Sequence, residues 1–351
     1  MRSRSKGRGL RRGLEAALIF LLLAPLILPS CSREEGNGPR IGVCVADRGS
    51  REFELIRRGM EEAAREMGAE LIWRDMTPRW RREGESSVTA ERRIVEELLR
   101  KGIDALIWTP PTDDPDKEFL VLKRARDEGV PVVALDRLPR RMKASIFIRP
   151  NYVAMGEMAA EFAVERALRD RESANFIVLE EPPGDRNLRE VVMGIYNVLD
   201  GCPQVTVLAG PRPKSYEEAA GIVNALLTRY AGNVQAIVAC RSDLAAGAAE
   251  ALKAYRLEDR AVTVGVGAMR IGIERILKGE HDAEIDPMHE ERGKLAFEAA
   301  VKLAKGEEIK PDDLIDNFGV EAPVKYGPAR VITPQNVRLF FKIYPELWGT
   351  R

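Results

Sequence analysis

The sequence predicts an α/β fold of two lobes, each built on a doubly wound parallel sheet. Apolar runs of strand length alternate with segments of helical periodicity along most of the 351 residues. Strand, helix and strand at this spacing are typical of βαβ units, which form a parallel sheet with helices on both faces. The alternation starts again near residue 144, and a chain of this length favours two domains over one.

The first lobe is predicted to contain four strands with three helices between them. In the first helix, at residues 52–67, Phe53, Ile56 and Met60 share one face, and Gly68 ends the helix. In order, the elements are a strand at Arg40–Ala46, that helix, a strand at Glu70–Trp73, a helix at 89–100, a strand at 104–108, a helix at 117–128 and a strand at 130–135.

The second lobe is predicted to repeat the same alternation. Its elements are a strand at Ala144–Ile148, a helix at 152–169, a strand at Asn175–Leu179, a helix at 185–200, a strand at Val205–Leu208, a helix at 215–230, a strand at Ala236–Ala239, a helix at 243–256, a strand at Val262–Val266 and a helix at 269–279. Ligands of such sheets bind beyond the carboxyl ends of the strands. That rule points to the loops after residues 46, 108, 135, 180, 240 and 266.

Composition and charge exclude one class of partner. The chain is 45% hydrophobic and 31% charged, which is ordinary for globular domains with real cores. Residues 1–30 carry six basic side chains and one acidic one, so the rest of the chain has a formal charge of −5. No basic stripe is left that would follow a phosphate backbone. A nucleic-acid partner is therefore not expected.

The first 30 residues are predicted to be a signal peptide. A basic start at residues 2–12 is followed by the apolar run Ala16–Leu28, which as a helix of about 20 Å is too short for a hydrocarbon core of about 30 Å. A basic start, a short apolar run and a small residue before the cut are the layout of a secretory signal. We therefore expect an extracytoplasmic protein, periplasmic or at the cell surface.

The end of the apolar run, Leu28-Pro29-Ser30-Cys31, resembles a bacterial lipobox. That resemblance implies cleavage before Cys31 and its lipidation, with residues 31–39 as a polar tether to the membrane. A plain signal peptide and an uncleaved anchor are the alternatives. Three cysteines remain, an odd number that argues against a disulfide framework.

The sequence carries no catalytic or metal-binding signature. It has no G-x-S-x-G, no phosphate-binding loop of the Walker type and no G-x-G-x-x-G after the first strand. It has no C-x-x-C and only two histidines, His281 and His289. We therefore expect a binding protein without a metal or organic cofactor rather than an enzyme.

The segment Gly129–Arg137, GVPVVALDR, resembles the fourth strand and the following cleft residues of the periplasmic ribose-type sugar-binding proteins of ABC transporters. Further segments resemble this family in the same order: Glu96–Ile107, Asn151 with Ala154–Phe162, Val234–Ala239 with Ala245–Leu252, and Ala329–Val337. The resemblance covers nearly all of residues 40–340. It implies two lobes that interleave, residues 40–149 with 288–323 and residues 150–287 with 324–351. Three hinge crossovers are implied near 149–151, 286–289 and 322–326.

The resemblance also implies which residues line the cleft. Asp136 and Arg137 match residues that hydrogen-bond sugar hydroxyls, a role that suits a carboxylate acceptor and a planar guanidinium donor. A strand-end salt bridge is the alternative. Phe53 matches an aromatic ring that packs on a sugar, with core packing as its alternative. Thr109 and Asn151 stand at or beside further matched contacts.

At other positions the sequence departs from the family. Glu52 replaces an aromatic residue, Gly267 a cleft Asp and Pro287 a hinge Gln, while Val191 stands at an Arg position with Arg189 nearby. Arg241 stands where the ribose-type proteins have Asn. Arg137 and Arg241, with Arg189, would suit an anionic sugar-like ligand; the alternative is that Arg241 pairs with Asp243 or Glu181.

The resemblance predicts a monomeric receptor that captures a small sugar or sugar-like solute and hands it to an ABC permease. A sensory receptor that regulates a membrane kinase or chemoreceptor is an open alternative. An enzyme on the same fold would need a nucleophile and a base, and His289 is the one imidazole near a predicted hinge. A transcriptional repressor would need a helix-turn-helix before residue 40, where the signal peptide lies.

Overall fold

The computed structural model describes residues 38–46, 51–76, 82–181 and 184–345. The predicted signal peptide, Cys31 and all but the last two residues of the predicted tether lie outside these ranges. In the part that is described, no helix is long and apolar enough to cross a membrane.

The described residues form thirteen strands and nine α-helices. The strands are β1 (Arg40–Val45), β2 (Glu70–Asp75), β3 (Ala105–Thr109), β4 (Val132–Leu135), β5 (Ile146–Pro150), β6 (Ala174–Leu179), β7 (Val205–Ala209), β8 (Ala236–Ala239), β9 (Val262–Val266), β10 (Ala283–Asp286), β11 (Asp313–Asp316), β12 (Glu321–Gly327) and β13 (Arg330–Ile332). The helices are α1 (Arg51–Met67), α2 (Ser87–Arg100), α3 (Pro115–Asp127), α4 (Tyr152–Leu168), α5 (Arg186–Leu199), α6 (Tyr216–Arg229), α7 (Ser242–Ala254), α8 (Arg270–Lys278) and α9 (His289–Ala304), and a 3-10 helix follows at Val337–Lys342.

The strands form two separate sheets. One has the order β11-β12-β5-β4-β3-β1-β2 and the other the order β13-β10-β9-β8-β6-β7. All neighbouring strands are parallel except the pairs β11–β12 and β10–β13, which lie at one edge of each sheet. The predicted fold class, two α/β lobes with doubly wound parallel sheets, is thereby confirmed.

The chain passes between the two sheets three times within the described residues. The crossovers lie at Asn151, at residues 287–288 and at residues 328–329, between consecutive elements that belong to different sheets. The third one differs from the predicted position near 322–326. The reason is that β12 continues to Gly327 and pairs along Val324–Gly327 with Phe147–Pro150 of the first sheet. Ala144–Ile148, where the alternation of strands and helices starts again, belongs to the first sheet as β5, within the range 40–149 that the resemblance assigned to the first lobe.

Buried apolar side chains cover both faces of each sheet. In the first sheet, Trp108 and Leu106 point to one face and Ile107 and Ala105 to the other, as the alternation of a strand requires. Helix α9 packs on β3, β4 and β5 of this sheet and against α1. Helix α4 has the equivalent place on the second sheet, against α5. The two crossovers that begin α4 and α9 therefore bring both helix starts to the space between the lobes.

Candidate functional site

Two cavities lie where residues of both sheets and their helices face each other. The first cavity has a volume of about 740 Å³. Its walls include Glu52 and Leu55 of α1, Val191 of α5, Gly267 after β9 and Pro287 at the second crossover. Most of the other lining side chains are apolar, among them Met155, Met269 and Ile343. The cavity is therefore large enough for a small solute and offers it mainly apolar contacts.

The second cavity has a volume of about 540 Å³ and a different character. Its lining contains five arginines, Arg137, Arg140, Arg149, Arg186 and Arg189, and three acidic residues, Asp113, Asp136 and Asp185. Arg137 belongs to the loop after β4, and Arg189 belongs to α5 of the other lobe. The excess of guanidinium groups makes this cavity suited to an acidic group.

An ionic cluster around the buried Arg292 separates the two cavities. Arg292 of α9 is fully buried, and its Nε lies 2.7 Å from Oδ1 of Asp136. Its Nη2 lies 3.3 Å from Oε1 of Glu52 and 2.8 Å from Nδ1 of His289. Asp136 lines the second cavity, whereas Glu52 and His289 line the first. The cluster therefore contributes its polar atoms to both.

The backbone holds Asp136 in an uncommon conformation. Its φ angle is 61°, in the left-handed region, and its amide donates to the carbonyl of Ile148 at 2.8 Å. The chain therefore turns sharply at the carboxyl end of β4. A non-glycine residue in this region is strained and persists where surrounding contacts over-determine it, as they do at many ligand sites.

Burial shifts the pKa of two members of the cluster in opposite directions. Desolvation raises the pKa of the Glu52 carboxyl, and the nearby charge of Asp136 raises it further, while Arg292 opposes the change. Desolvation lowers the pKa of the His289 imidazole well below its ordinary value, and Arg292 adds to the effect. The neutral form of His289 is thus favoured, because a second cation beside Arg292 would be repelled.

Ion pairs and ring contacts join the lobes around the second cavity. Arg149, at the end of β5, pairs with Glu190 of α5 at 2.5 Å, and its Nη2 donates to Oδ1 of Asn187 at 3.0 Å. The ring of Phe318, in the turn between β11 and β12, lies under the guanidinium of Arg186 at 5.7 Å. These contacts hold the two sides of the cleft in the observed arrangement.

Several predicted ligand residues surround the second cavity or stand beside it. Arg137 and Arg189 both line it. Nη1 of Arg137 donates to the carbonyls of Pro110 and Pro111, and neither arginine has a carboxylate partner among the residues that are described. Asp136 lines the same cavity but is bonded to Arg292. These three side chains are thus brought together. Asp136 makes a salt bridge, as the alternative to ligand binding allowed, but its partner is Arg292.

Other predicted ligand residues make structural contacts instead. The hydroxyl of Thr109 donates to the carbonyl of Leu135, and Asn151 accepts from the amide of Ala154 as the N-cap of α4. Phe53 packs against the core cluster between the first sheet and its helices, which was the alternative to a ring contact with a sugar. None of these three is among the residues that line the two cavities.

Arg241 is bound within its own lobe. Its Nε donates to Oδ1 of Asp243 at 2.9 Å, and its Nη1 donates to Oε2 of Glu181 at 3.0 Å. Both are the pairings that the sequence offered as an alternative to ligand binding. The side-chain bond to Asp243 raises the pKa of the guanidinium further. Arg241 lines neither cavity, so the arrangement in which it faces Arg137 across a ligand is not observed.

Arg292, the centre of the cluster, was not among the predicted site residues. No helix was predicted at residues 289–304, and an arginine there reads as a surface residue. The local sequence carries no signal that would have placed Arg292 in the cleft. Across the described ranges, no group of three or more His, Cys, Asp or Glu side chains is arranged to hold a metal ion.

Comparisons with known proteins agree with this geometry. The ribose import binding protein of Bacillus subtilis (strain 168) is 26% identical over 308 residues, which are 84% of this chain and 95% of that protein. The D-xylose-binding periplasmic protein of Escherichia coli (strain K12) is 24% identical over 324 residues, 91% of this chain and 92% of that protein. Both relatives are binding proteins rather than enzymes.

Solved structures and a family model cover most of the chain. An arabinose binding protein from Geobacillus stearothermophilus superposes with a TM-score of 0.68 at 17% identity, covering 86% of this chain and 99% of its own. A solute binding protein from Actinobacillus succinogenes 130z with bound D-allose gives a TM-score of 0.63 at 21% identity, with the same coverage. These two likenesses concern the fold. A model described as "Periplasmic binding protein domain" matches residues 41–308, and the chain therefore belongs to the periplasmic binding protein domain family.

Proposed function

We propose that this protein is an extracytoplasmic solute-binding lipoprotein that captures a small sugar or sugar-like molecule between its lobes and delivers it to an ABC transporter. The observation that carries the proposal is the first cavity. Residues of both lobes and of the second crossover form its walls, so a change in the angle between the lobes would open or close it around a solute. The named relatives bind ribose and D-xylose, which supports a sugar-like ligand.

The ligand that fits the cleft best has an acidic group. Arg137 and Arg189 reach the second cavity from different lobes and have no carboxylate partner among the described residues. A carboxylate, sulfate or phosphate between them would receive charge-assisted hydrogen bonds from both. The hydroxyl-bearing remainder of a sugar acid would then extend along the Asp136–Arg292 pair toward the first cavity. Arg241 has no part in this arrangement because its donors are taken.

A melting experiment tests the binding function. The full chain is purified in detergent and heated with neutral sugars, sugar acids, sugar phosphates and polyols in turn. A ligand at one hundred times its dissociation constant adds about 2.7 kcal/mol of stability, which raises the melting temperature by several degrees. A shift with acidic sugars alone supports the proposed ligand. A shift with neutral sugars alone contradicts the acidic group, and no shift with any compound contradicts the sugar assignment.

The lipid anchor and the delivery step rest on the sequence and on family membership. Cys31→Ser removes the predicted lipidated thiol, so the protein should move from the membrane fraction to the soluble extracytoplasmic fraction. Cys202→Ser is the matched control, and it should leave the protein with the membranes. Delivery is tested in liposomes that contain a candidate ABC permease. The ligand-loaded protein should raise the ATPase rate of that permease. Binding to a membrane kinase in place of that stimulation would favour a sensory role.

A further inference from the structure

The second crossover sets one histidine at the edge of the first cavity. Met288 has a φ angle of 45°, and its amide donates to Oδ1 of Asp286 at 2.9 Å. This turn ends β10 and starts α9 with His289 as its first residue. The side chain of His289 is 17% exposed and lines the first cavity. The imidazole is therefore held at a hinge position with one side open to the cavity.

The bond to Arg292 decides which ring nitrogen carries the proton. Nη2 of Arg292 lies 2.8 Å from Nδ1 of His289. A guanidinium has five N–H donors and no acceptor, so Nδ1 must be the acceptor of this bond. A neutral imidazole that accepts at Nδ1 carries its hydrogen on Nε2. Arg292 itself is fixed, because it is fully buried and paired with Asp136.

The other ring nitrogen is free to meet a ligand. Within the described residues, Nε2 of His289 has no hydrogen-bond partner, and it is not among the buried polar atoms that lack one. The open side of this mostly buried ring is the side toward the first cavity. An N–H group that is fixed in direction, partly desolvated and unpaired is a strong donor for a bound solute.

The carboxylate nearest the ring favours an uncharged acceptor. Oε1 of Glu52 in α1 lies 3.4 Å from Nδ1. The charges of Asp136 and Arg292 act on Glu52 and on the hydroxyl of Tyr152, the first residue of α4. Arg292, the cation in contact with the ring, is already bonded to the two carboxylates. An anionic acceptor at Nε2 would lie beside Glu52 and be repelled, whereas a hydroxyl or carbonyl oxygen would not.

We propose that His289 is a specificity-determining ligand contact, which donates from Nε2 to an uncharged hydroxyl or carbonyl oxygen of the solute in the first cavity. The inference rests on the proposed function, because it requires that the cleft binds a solute. His289 at the hinge would then recognise a neutral part of the ligand, whereas the arginines of the second cavity would recognise its acidic group.

Solid-state NMR of the full chain tests the fixed tautomer without any ligand. The chain contains only two histidines, so labelling of histidine with ¹³C and ¹⁵N gives two ring systems, and the spectrum of His289→Gln identifies the one that is lost. We expect an unprotonated Nδ1 and a protonated Nε2 at His289 in neutral buffer. A proton on Nδ1, or protons on both nitrogens, would overturn the inference.

Two variants then test the ligand contact with the compound that gives the largest melting shift. His289→Leu removes the donor and should weaken binding about tenfold, while His289→Gln keeps an N–H₂ donor at the position of Nε2 and should stay within about threefold of the wild type. Equal loss in both variants, or no loss in either, contradicts the inference. If no sugar shifts the wild-type melting temperature, the sugar assignment fails. A protonated Nε2 with an unprotonated Nδ1 then keeps the donor available for another class of solute, and any other tautomer overturns the inference as well.

Discussion

Nε of Arg292 lies 2.7 Å from Oδ1 of Asp136, between a helix and a loop that are 156 residues apart in sequence. The arginine is fully buried, and the Asp136 side chain is 16% exposed. The carboxylate that the family resemblance assigned to sugar hydroxyls is thus already neutralised by the protein itself. A ligand at Asp136 would meet an ion pair rather than a free carboxylate, which changes the acceptor strength that this position offers.

The first prediction concerns the stability that this pair contributes. Arg292→Met keeps the volume of the side chain but leaves Asp136 and Glu52 without their cation, and removing one partner of a buried pair costs about 3 kcal/mol. The free energy of unfolding in urea should fall by that amount. Arg58→Met is the control, since it removes a more exposed pair with Glu290 and should cost less than about 1 kcal/mol. Equal small losses in both variants would contradict the prediction.

The strands of both lobes could be predicted from sequence because their signal is local. Runs such as Val132–Leu135 are buried on both faces and read as continuous apolar stretches. Helix α9 lacked such a signal, since its buried positions include Gly293, several alanines and Arg292. Its charged residues resemble those of a solvated surface. The partner of Asp136 therefore could not be found before the fold brought α9 beneath β4.

The site residues also differ in whether local sequence or the packing of the lobes determines their partners. The pairing of Arg241 with Asp243 spans two residues, so it could be offered as an alternative from sequence alone. The common cavity of Arg137 and Arg189 depends on how the lobes face each other. Nothing in local sequence fixes that angle, because it is set by the crossovers at Asn151, at residues 287–288 and at residues 328–329. The resemblance supplied the candidates, and the packing of the lobes selects among them.

The second prediction concerns which of Arg137, Arg189 and Arg241 contribute to the affinity for an acidic ligand. Arg137→Ala and Arg189→Ala should each lower the affinity for an acidic sugar about tenfold or more, because each removes a charged hydrogen bond. Arg241→Ala should leave the affinity unchanged, since its donors are taken by Asp243 and Glu181. Isothermal titration calorimetry measures all three. A loss in Arg241→Ala as large as in Arg137→Ala would show that the ligand reaches the other loop.

The third prediction concerns the close packing of α1 on α9. A Cβ atom added at Gly59 would lie 1.9 Å from the carbonyl oxygen of Glu290. That oxygen belongs to a helix backbone and cannot rotate away, so Gly59→Ala should force the helices apart and cost about 1–3 kcal/mol. Because Glu290 lies next to His289, the substitution should also weaken ligand binding. Thermal unfolding and titration of the variant measure the two effects.

Gly221→Ala is the matched control for that substitution. Gly221 lies in α6, and a Cβ atom there would meet no atom within 4 Å. The replacement should therefore raise stability by roughly 0.5–1 kcal/mol, because alanine loses less conformational entropy in a helix than glycine does. If both alanine variants are stabilised alike, the two helices are not held as closely as the structure has them.

The fourth prediction concerns the pH dependence of folding. Glu91 of α2 and Glu118 of α3 are both fully buried. Trp108 donates to one oxygen of Glu91 at 2.5 Å and Thr112 to one oxygen of Glu118 at 2.6 Å. The second oxygen of each has no partner among the described residues. Burial, and then the adjacent Glu118, raise the pKa of Glu91 to about 10, so the Glu91 carboxyl keeps its proton at neutral pH.

The sign of the effect follows from proton counts. Between about pH 5 and pH 10 the folded protein holds a proton on Glu91 that the unfolded chain has released, so stability is present at low pH and falls as the pH rises. The limiting slope for one proton is about 1.4 kcal/mol per pH unit. Glu91→Gln keeps the acceptor for Trp108 and removes the titration, so its free energy of unfolding should vary less between pH 6 and pH 9. Glu66→Gln, at an exposed position of α1, should keep the wild-type slope, and an equal slope in all three proteins would refute a protonated Glu91 in the folded state.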